Sequence, residues 1–353
     1  MYIYKMAQNA DLIYKILSGV DLSGVDLSGV DLSGVDLSGV DLSGVDLSGA
    51  ILTGLDLTGA NLSGVNFTNA NLLRANLTGA NLTGSNLTGS NFTNAILLGA
   101  NLTGTDLTGA KLTGSNLTDV NLTDANLTNA KLTGAEFAGE DFAGDNFTPY
   151  FTGANFIGAD FTGANLQRLN LIGIDFTGAD FTGANLTRAD LTGANLKSMN
   201  LKYAILRRTN LTGADLKSVN LTYANLRGAD FTDANLISAI LTNSDFIGAI
   251  LTRADLTDAI LTDANLRAAI LTDAKLLGAN LTDAKLIGSD LKNVDFTGAN
   301  LTYAELFGAD LTGAILLGAN LTNAGIIDTI RADLTGAIGV NLTDVDLTNT
   351  DST

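Results

Sequence analysis

The stretch GAEFAGEDFAGDNFTPYF at 134–151 brings Glu136, Glu140, Asp141 and Asp145 within ten residues. Clustered carboxylate oxygens could hold a hard cation such as Ca²⁺, although this spacing matches no calcium loop. Paired carboxylates could also serve acid–base hydrolysis, which needs a cleft to seat a substrate. A second set of residues is basic. Arg168, Arg188 and Arg208 recur every 20 residues, and Arg207, Arg227 and Arg267 fall one place earlier in the same period. Guanidinium groups in register could grip carboxylates or phosphates. Little else is equipped for catalysis. The chain has no His and no Cys, which removes the usual general base and the thiolate metal ligands. Ser and Thr have no His or suitable Lys partner to activate them. The many Gly residues form no phosphate loop, because no Gly-Lys-Ser/Thr ending occurs. The recurrent Asn-Leu-Thr triplets are by-products of a repeat rather than glycosylation sites. No enzyme activity and no cofactor are expected.

The element that positions these residues is a word of five. Six perfect VDLSG words fill 20–49. A helix advances about 500° over five residues, so successive Leu residues share no face. A flat strand fails as well, because five is odd and the Leu residues would alternate sides. A chain that bends once per word can reset its facing each time, and Gly, Asn and Asp supply the bend chemistry. Four bends close a square coil of about 20 residues, and stacked coils lie about 4.8 Å apart.

The words ANLTG at 80–84, ADLTG at 189–193 and ADFTG at 159–163 give the chain its resemblance to the pentapeptide-repeat family, with the pattern A-(D/N)-L-X-X. The match runs from about Ala10 to about Thr348. It implies an all-β fold, a right-handed quadrilateral parallel β-helix of about 16–17 coils. It also implies that the central Leu or Phe and the small residue two before it point inward, with the Asp/Asn and the last two positions outward. One word buries too little apolar surface to offset the entropy of ordering it, so coils must support one another.

Along the chain, residues 1–9 are expected to cap the first coil and 10–148 to form a first solenoid segment. A second segment, 149–328, follows a one-residue register break, and 329–353 form irregular terminal words and a cap. The break lies where Phe147 is followed by Phe151 across Pro149. There Glu140 and Asp145 take inward positions, which an unpaired carboxylate can hold only at high cost. Glu140, Asp145 and Pro149 therefore mark a candidate kink, read as a packing defect, a recognition feature or a cation site. Six aromatic centres, Phe137, Phe142, Phe147, Phe151, Phe156 and Phe161, could fill a locally widened interior.

Residues 20 apart should stack on one face, which makes the surface readable. The arginines Arg168, Arg188, Arg207, Arg208, Arg227 and Arg267 form a candidate docking stripe, or alternatively a solvated charge row. Asp233, Arg253 and Asp273 should alternate in sign. Ile240 with Ile260, and Ile250 with Ile270, replace outward Asp/Asn on opposite faces, and Tyr203 stacks over Tyr223. Such ladders suit a partner surface or simply strengthen neighbouring strands.

The net charge of −18 argues against direct binding to nucleic acid or anionic lipid. No apolar run approaches the roughly 20 residues that span a bilayer, and the start, MYIYKMAQNADLIYK, lacks a signal-peptide core. The expected location is cytoplasmic. The leading expectation is a non-catalytic structural and protein-interaction rod. The alternative is DNA mimicry: some members of the resembled family occupy the DNA site of type II topoisomerases such as gyrase. Here the match weakens, since −18 over roughly 80 Å gives one charge per 4–5 Å against one per 1.7 Å in duplex DNA.

Overall fold

Each word has five backbone N–H groups to satisfy, and Ala80–Gly84 shows how it does so. Ala80 N–H donates to Leu77 O at 3.0 Å, closing the bend. Asn81 N–H donates down to Ala60 O at 2.9 Å, while Leu82 and Gly84 N–H donate up to Asn101 O and Thr103 O at 2.7 and 2.9 Å. The last donor, Thr83 N–H, points outward and is met by the word's own side chain, Asn81 Oδ1, at 3.2 Å. That is why the second position is Asp or Asn: it completes an Asx turn. The fifth residue takes φ near +60°, as at Gly84 (65°), the left-handed region where glycine is least strained.

In the computed structural model, residues 26–33, 35–137 and 151–326 are described. The expected caps at 1–9 and 329–353, and the kink residues Glu140, Asp145 and Pro149, lie outside the described residues. The chain divides into two compact units, Met1–Leu166 and Gln167–Thr353. Within each, second positions make one-residue parallel bridges to their counterparts a coil later, as in Asn61↔Asn81 and Asn220↔Ile240. Four such columns, one per side, build the right-handed quadrilateral β-helix.

The interior is filled by the third and first positions. Leu82, Phe92, Leu221 and Phe246 are fully buried, as are Ala80, Ala100 and Ala224. Where a hydroxyl takes the small inward position it folds back onto a carbonyl: Ser85 Oγ donates to Leu82 O at 2.7 Å and Thr209 Oγ1 to Leu186 O at 2.7 Å. Among the described residues no buried side-chain nitrogen or oxygen is left without a partner.

The ladder offset changes near the interruption. Asn126, Lys131 and Glu136 bridge to Asn155, Asp160 and Asn165, an offset of 29 in place of 20. The phase does change by one within the five-residue word, because nine extra residues are one short of two words. The rung that does form is made by words with Ala inward, Ala154 and Ala164, both buried. Phe137, Phe151, Phe156 and Phe161 pack around it with ring centroids 5.4 to 6.1 Å apart.

Candidate interaction surface

Among the described residues the filled interior sends the candidate functional groups outward, and the 20-residue ladder decides which of them become neighbours. In the second unit, Asn185, Ile205, Asn225 and Asp245 bridge in succession and form the centre line of one face. The turns after them put Arg188, Arg207, Arg208 and Arg227 along one corner of that face, with Arg168 a coil below Arg188. Arg168 N–H donates to Thr187 O, Arg188 N–H to Arg207 O and Arg208 N–H to Arg227 O, each at 3.0 Å. Arg168, Arg188 and Arg208 hold the left-handed fifth position at φ 60°, 61° and 55°. All six arginines of the stripe are exposed.

The stripe divides by pairing. Arg227 Nε donates to Asp245 at 2.6 Å, and Arg267 lies 3.6 Å from Glu305. Arg168, Arg188, Arg207 and Arg208 make no ion pair among the described residues. The opposite corner of the same face carries Tyr203 and Tyr223. Their rings stack with centroids 5.4 Å apart and planes 3° from parallel. Both are about half exposed, and Lys202 Nζ lies 5.9 Å from the centre of the Tyr203 ring.

The isoleucines sit as expected, in two ladders. Ile240 bridges Ile260 on one face, and Ile250 bridges Ile270 on the face opposite. Ile240, Ile260 and Ile270 are 37 to 40% exposed, and Ile250 is half-buried. Sequence reasoning missed what they displace. An Ile cannot accept the outward N–H of the residue two places on, so Thr242, Thr252, Thr262 and Thr272 lack the Asx bond that Thr222 N–H makes with Asn220 Oδ1 at 3.1 Å. That N–H must turn to water.

The alternating ladder is half realised. Arg253 forks onto Asp233 with two bonds of 2.7 Å, and this hydrogen bonding holds the Asp233 carboxyl below the usual range. Asp273 instead accepts from Asn293 Nδ2 at 2.9 Å. Of the four carboxylates weighed as a cation site, only Glu136 lies among the described residues, where Asn165 Nδ2 donates to it at 2.6 Å. Among the described residues no cluster of three or more acidic groups is placed to hold a metal ion. No helix among them is long and apolar enough to cross a membrane.

Comparison with known protein families agrees with this geometry. The family profile described as "Pentapeptide repeats (8 copies)" matches in overlapping stretches over residues 8–139 and 150–324. A pentapeptide repeat protein of the Arabidopsis thaliana thylakoid lumen is 36% identical over 30% of this chain and 68% of its own, with a TM-score of 0.27. HetL, a pentapeptide repeat protein involved in heterocyst differentiation regulation in the cyanobacterium Nostoc sp. strain PCC 7120, is 25% identical over 92% of this chain and 97% of its own, with a TM-score of 0.16. QnrB1, a plasmid-mediated fluoroquinolone resistance protein, is 18% identical over 69% of this chain and 88% of its own, with a TM-score of 0.29. No curated protein matches the chain.

Proposed function

Because this chain belongs to the pentapeptide-repeat family, whose members are generally non-catalytic structural repeats, we propose that it is a protein-interaction solenoid that presents stacked side-chain ladders to a protein partner. The observation that carries this reading is the isoleucine substitution. Each of Ile240, Ile250, Ile260 and Ile270 gives up a turn hydrogen bond worth about 1 kcal/mol and leaves apolar surface facing outward. Ladder packing recovers part of that cost, but paired apolar ladders on two faces of one unit suit a partner that covers them.

The test is to restore the repeat's own residue. In Ile240→Asn/Ile260→Asn and Ile250→Asn/Ile270→Asn, each Asn can re-form the Asx turn, so the fold should be kept. Crosslinking and mass spectrometry in extract of the native host should show at least one partner lost from a ladder variant. An unchanged partner set in both Ile variants and in the arginine variants below would overturn the proposal. DNA mimicry is the second reading, and the basic corner of Arg168, Arg188, Arg207 and Arg208 works against it, since a mimic must enter a basic site. Protection of purified gyrase from quinolone-induced cleavage would favour the mimic instead.

A further inference from the structure

We propose that the face bounded by the arginine corner and the Tyr203–Tyr223 stack docks an acidic α-helix of a partner protein, laid along the stacking axis. This rests on the protein-interaction reading above and names the chemistry of one partner.

Three observations point there. The first is charge. Arg168, Arg188, Arg207 and Arg208 stand unpaired on a chain of net charge −18, although the same protein neutralises Arg227, Arg253 and Arg267. Arg74 also makes no ion pair among the described residues, but it stands singly, whereas these four share one corner over three successive coils. The centre line beside them, Asn185, Ile205 and Asn225, carries no acid, and the first carboxylate on it is Asp245, already held by Arg227.

The second observation is width. About three residues separate one bend from the next, so a face is roughly 10 Å across at about 3.3 Å per residue. A helix is about 10–12 Å in diameter and fits between the two corners. A nucleic-acid duplex is wider and would overhang the neighbouring face, where Asp190 and Asp230 stand on the bridge column beyond the arginine corner.

The third is pitch. The unpaired arginines Arg168, Arg188 and Arg207/Arg208 occupy three successive coils, rising about 4.8 Å each. One carboxylate per helical turn rises about 5.4 Å. After two steps the two ladders differ by roughly 1 Å, within the swing of a flexible arginine side chain. An extended strand offers same-side carboxylates about 6.7 Å apart and drifts by roughly 4 Å over the same interval. Tyr203, Tyr223 and Ile205, exposed beside the arginines, would take the apolar flank of the helix, as Tyr and Arg do together at protein interfaces.

The fold supplies a non-disruptive variant. Glycine is the residue of least strain at the fifth position and Thr is common at the fourth, so Arg188→Gly/Arg207→Thr/Arg208→Gly rewrites the face in the protein's own vocabulary. Its thermal midpoint should be no lower than the parent's. The control, Arg74→Gly/Lys111→Asn/Lys131→Asn, removes the same charge from the first unit. The probe is a fluorescein-labelled alanine-rich helical peptide with Glu at i, i+4, i+7 and i+11, titrated by anisotropy against the full-length protein at low ionic strength. A second peptide spreads the same Glu residues around the helix, and a third probe is single-stranded oligo(dT). The expected result is that the striped peptide binds, that binding falls with salt, and that the face variant weakens it at least tenfold while the control does not. Absence of binding, equal binding by the spread peptide, equal loss in the control, or tighter binding by oligo(dT) that vanishes in the face variant would each overturn the proposal. If it fails while the Ile ladder variants still lose a partner, the protein-interaction reading stands without it.

Discussion

Truncating Leu241 to Ala should open the stack locally and by a large amount. Leu241 is fully buried between Leu221 and Leu261, which are equally buried. The change removes three carbons, about 2.4 kcal/mol at about 0.8 kcal/mol per methylene, and leaves a cavity whose cost depends on how far the walls relax. These walls are held on both sides of the rung. Leu221 N–H donates to Ile240 O and Leu241 N–H to Ile260 O, each at 2.7 Å, and the same ladder runs up the other faces. Collapse in one column would strain the rest, so the total should lie in the upper half of the usual 2–5 kcal/mol for Leu→Ala, about 4 kcal/mol. Native-state hydrogen exchange read by mass spectrometry is the suitable assay, because a stack of repeats need not unfold in one step. Exchange of the Leu241 and Asn243 amides should quicken by close to a thousandfold, at about 1.4 kcal/mol per tenfold, with the effect fading over the coils on either side. Ile240→Asn, one residue away but outward, should change exchange by less than about tenfold. If Leu241→Ala also changes it by less than tenfold, the interior is not the rigid filled column inferred from the ladder.

Three further outcomes follow from the same geometry. Gly213 holds φ 64° with open space where a Cβ would go, so Gly213→Ala should cost about 1–2 kcal/mol from backbone strain alone, read by urea titration, whereas Arg188→Gly at φ 61° should be neutral or stabilising. The backbone N–H groups of Ser28, Ser38 and Ser43 hold the carboxyls of Asp26, Asp36 and Asp41 below the ordinary 3.8. A depressed folded value means stability that is complete above the unfolded value and lost as pH falls through the folded one. Thermal melts should therefore be flat down to about pH 4 on this account and fall below it, and Asp36→Asn/Asp41→Asn should flatten the acid limb. Asp233→Asn should lower the melting temperature slightly at low salt and not measurably at 0.5 M salt, because the pair with Arg253 is half exposed and screened.

The fold was legible because one period governs it. A five-residue recurrence is incompatible with a straight helix or strand, and it fixes both the buried Leu column and the glycine bend. The columns Ile240–Ile260, Ile250–Ile270 and Tyr203–Tyr223 follow from arithmetic on that period, as the bridges and ring stacking show. Two things did not follow. The offset of 29 between Asn126 and Asn155 is set by which words pair, and spacing alone does not choose them. The pairing of charges depends on long flexible side chains: Arg227 reaches Asp245, 18 residues on, and Arg267 spans two coils to Glu305, while Arg188 and Arg208 pair with no carboxylate among the described residues. Register places a Cα, but rotamers choose the partner. The role of the second position was also half seen, as bend chemistry, until the acceptor for the outward N–H identified its particular bond.

Because every word repeats the same hydrogen-bond pattern with the coils above and below, the protein tolerates copying, but not by any length. Twenty residues added between Arg188 and Arg207 would leave every later side chain on its original wall and only spread the basic corner. Five residues added there would swing Arg207, Arg208 and Arg227 a quarter turn, onto a side that Arg188 does not share, with the core none the worse. Selection for folding alone would accept both events, whereas selection for the face would accept only the first. Lengths of natural insertions in close relatives thus carry a record of whether this wall is used.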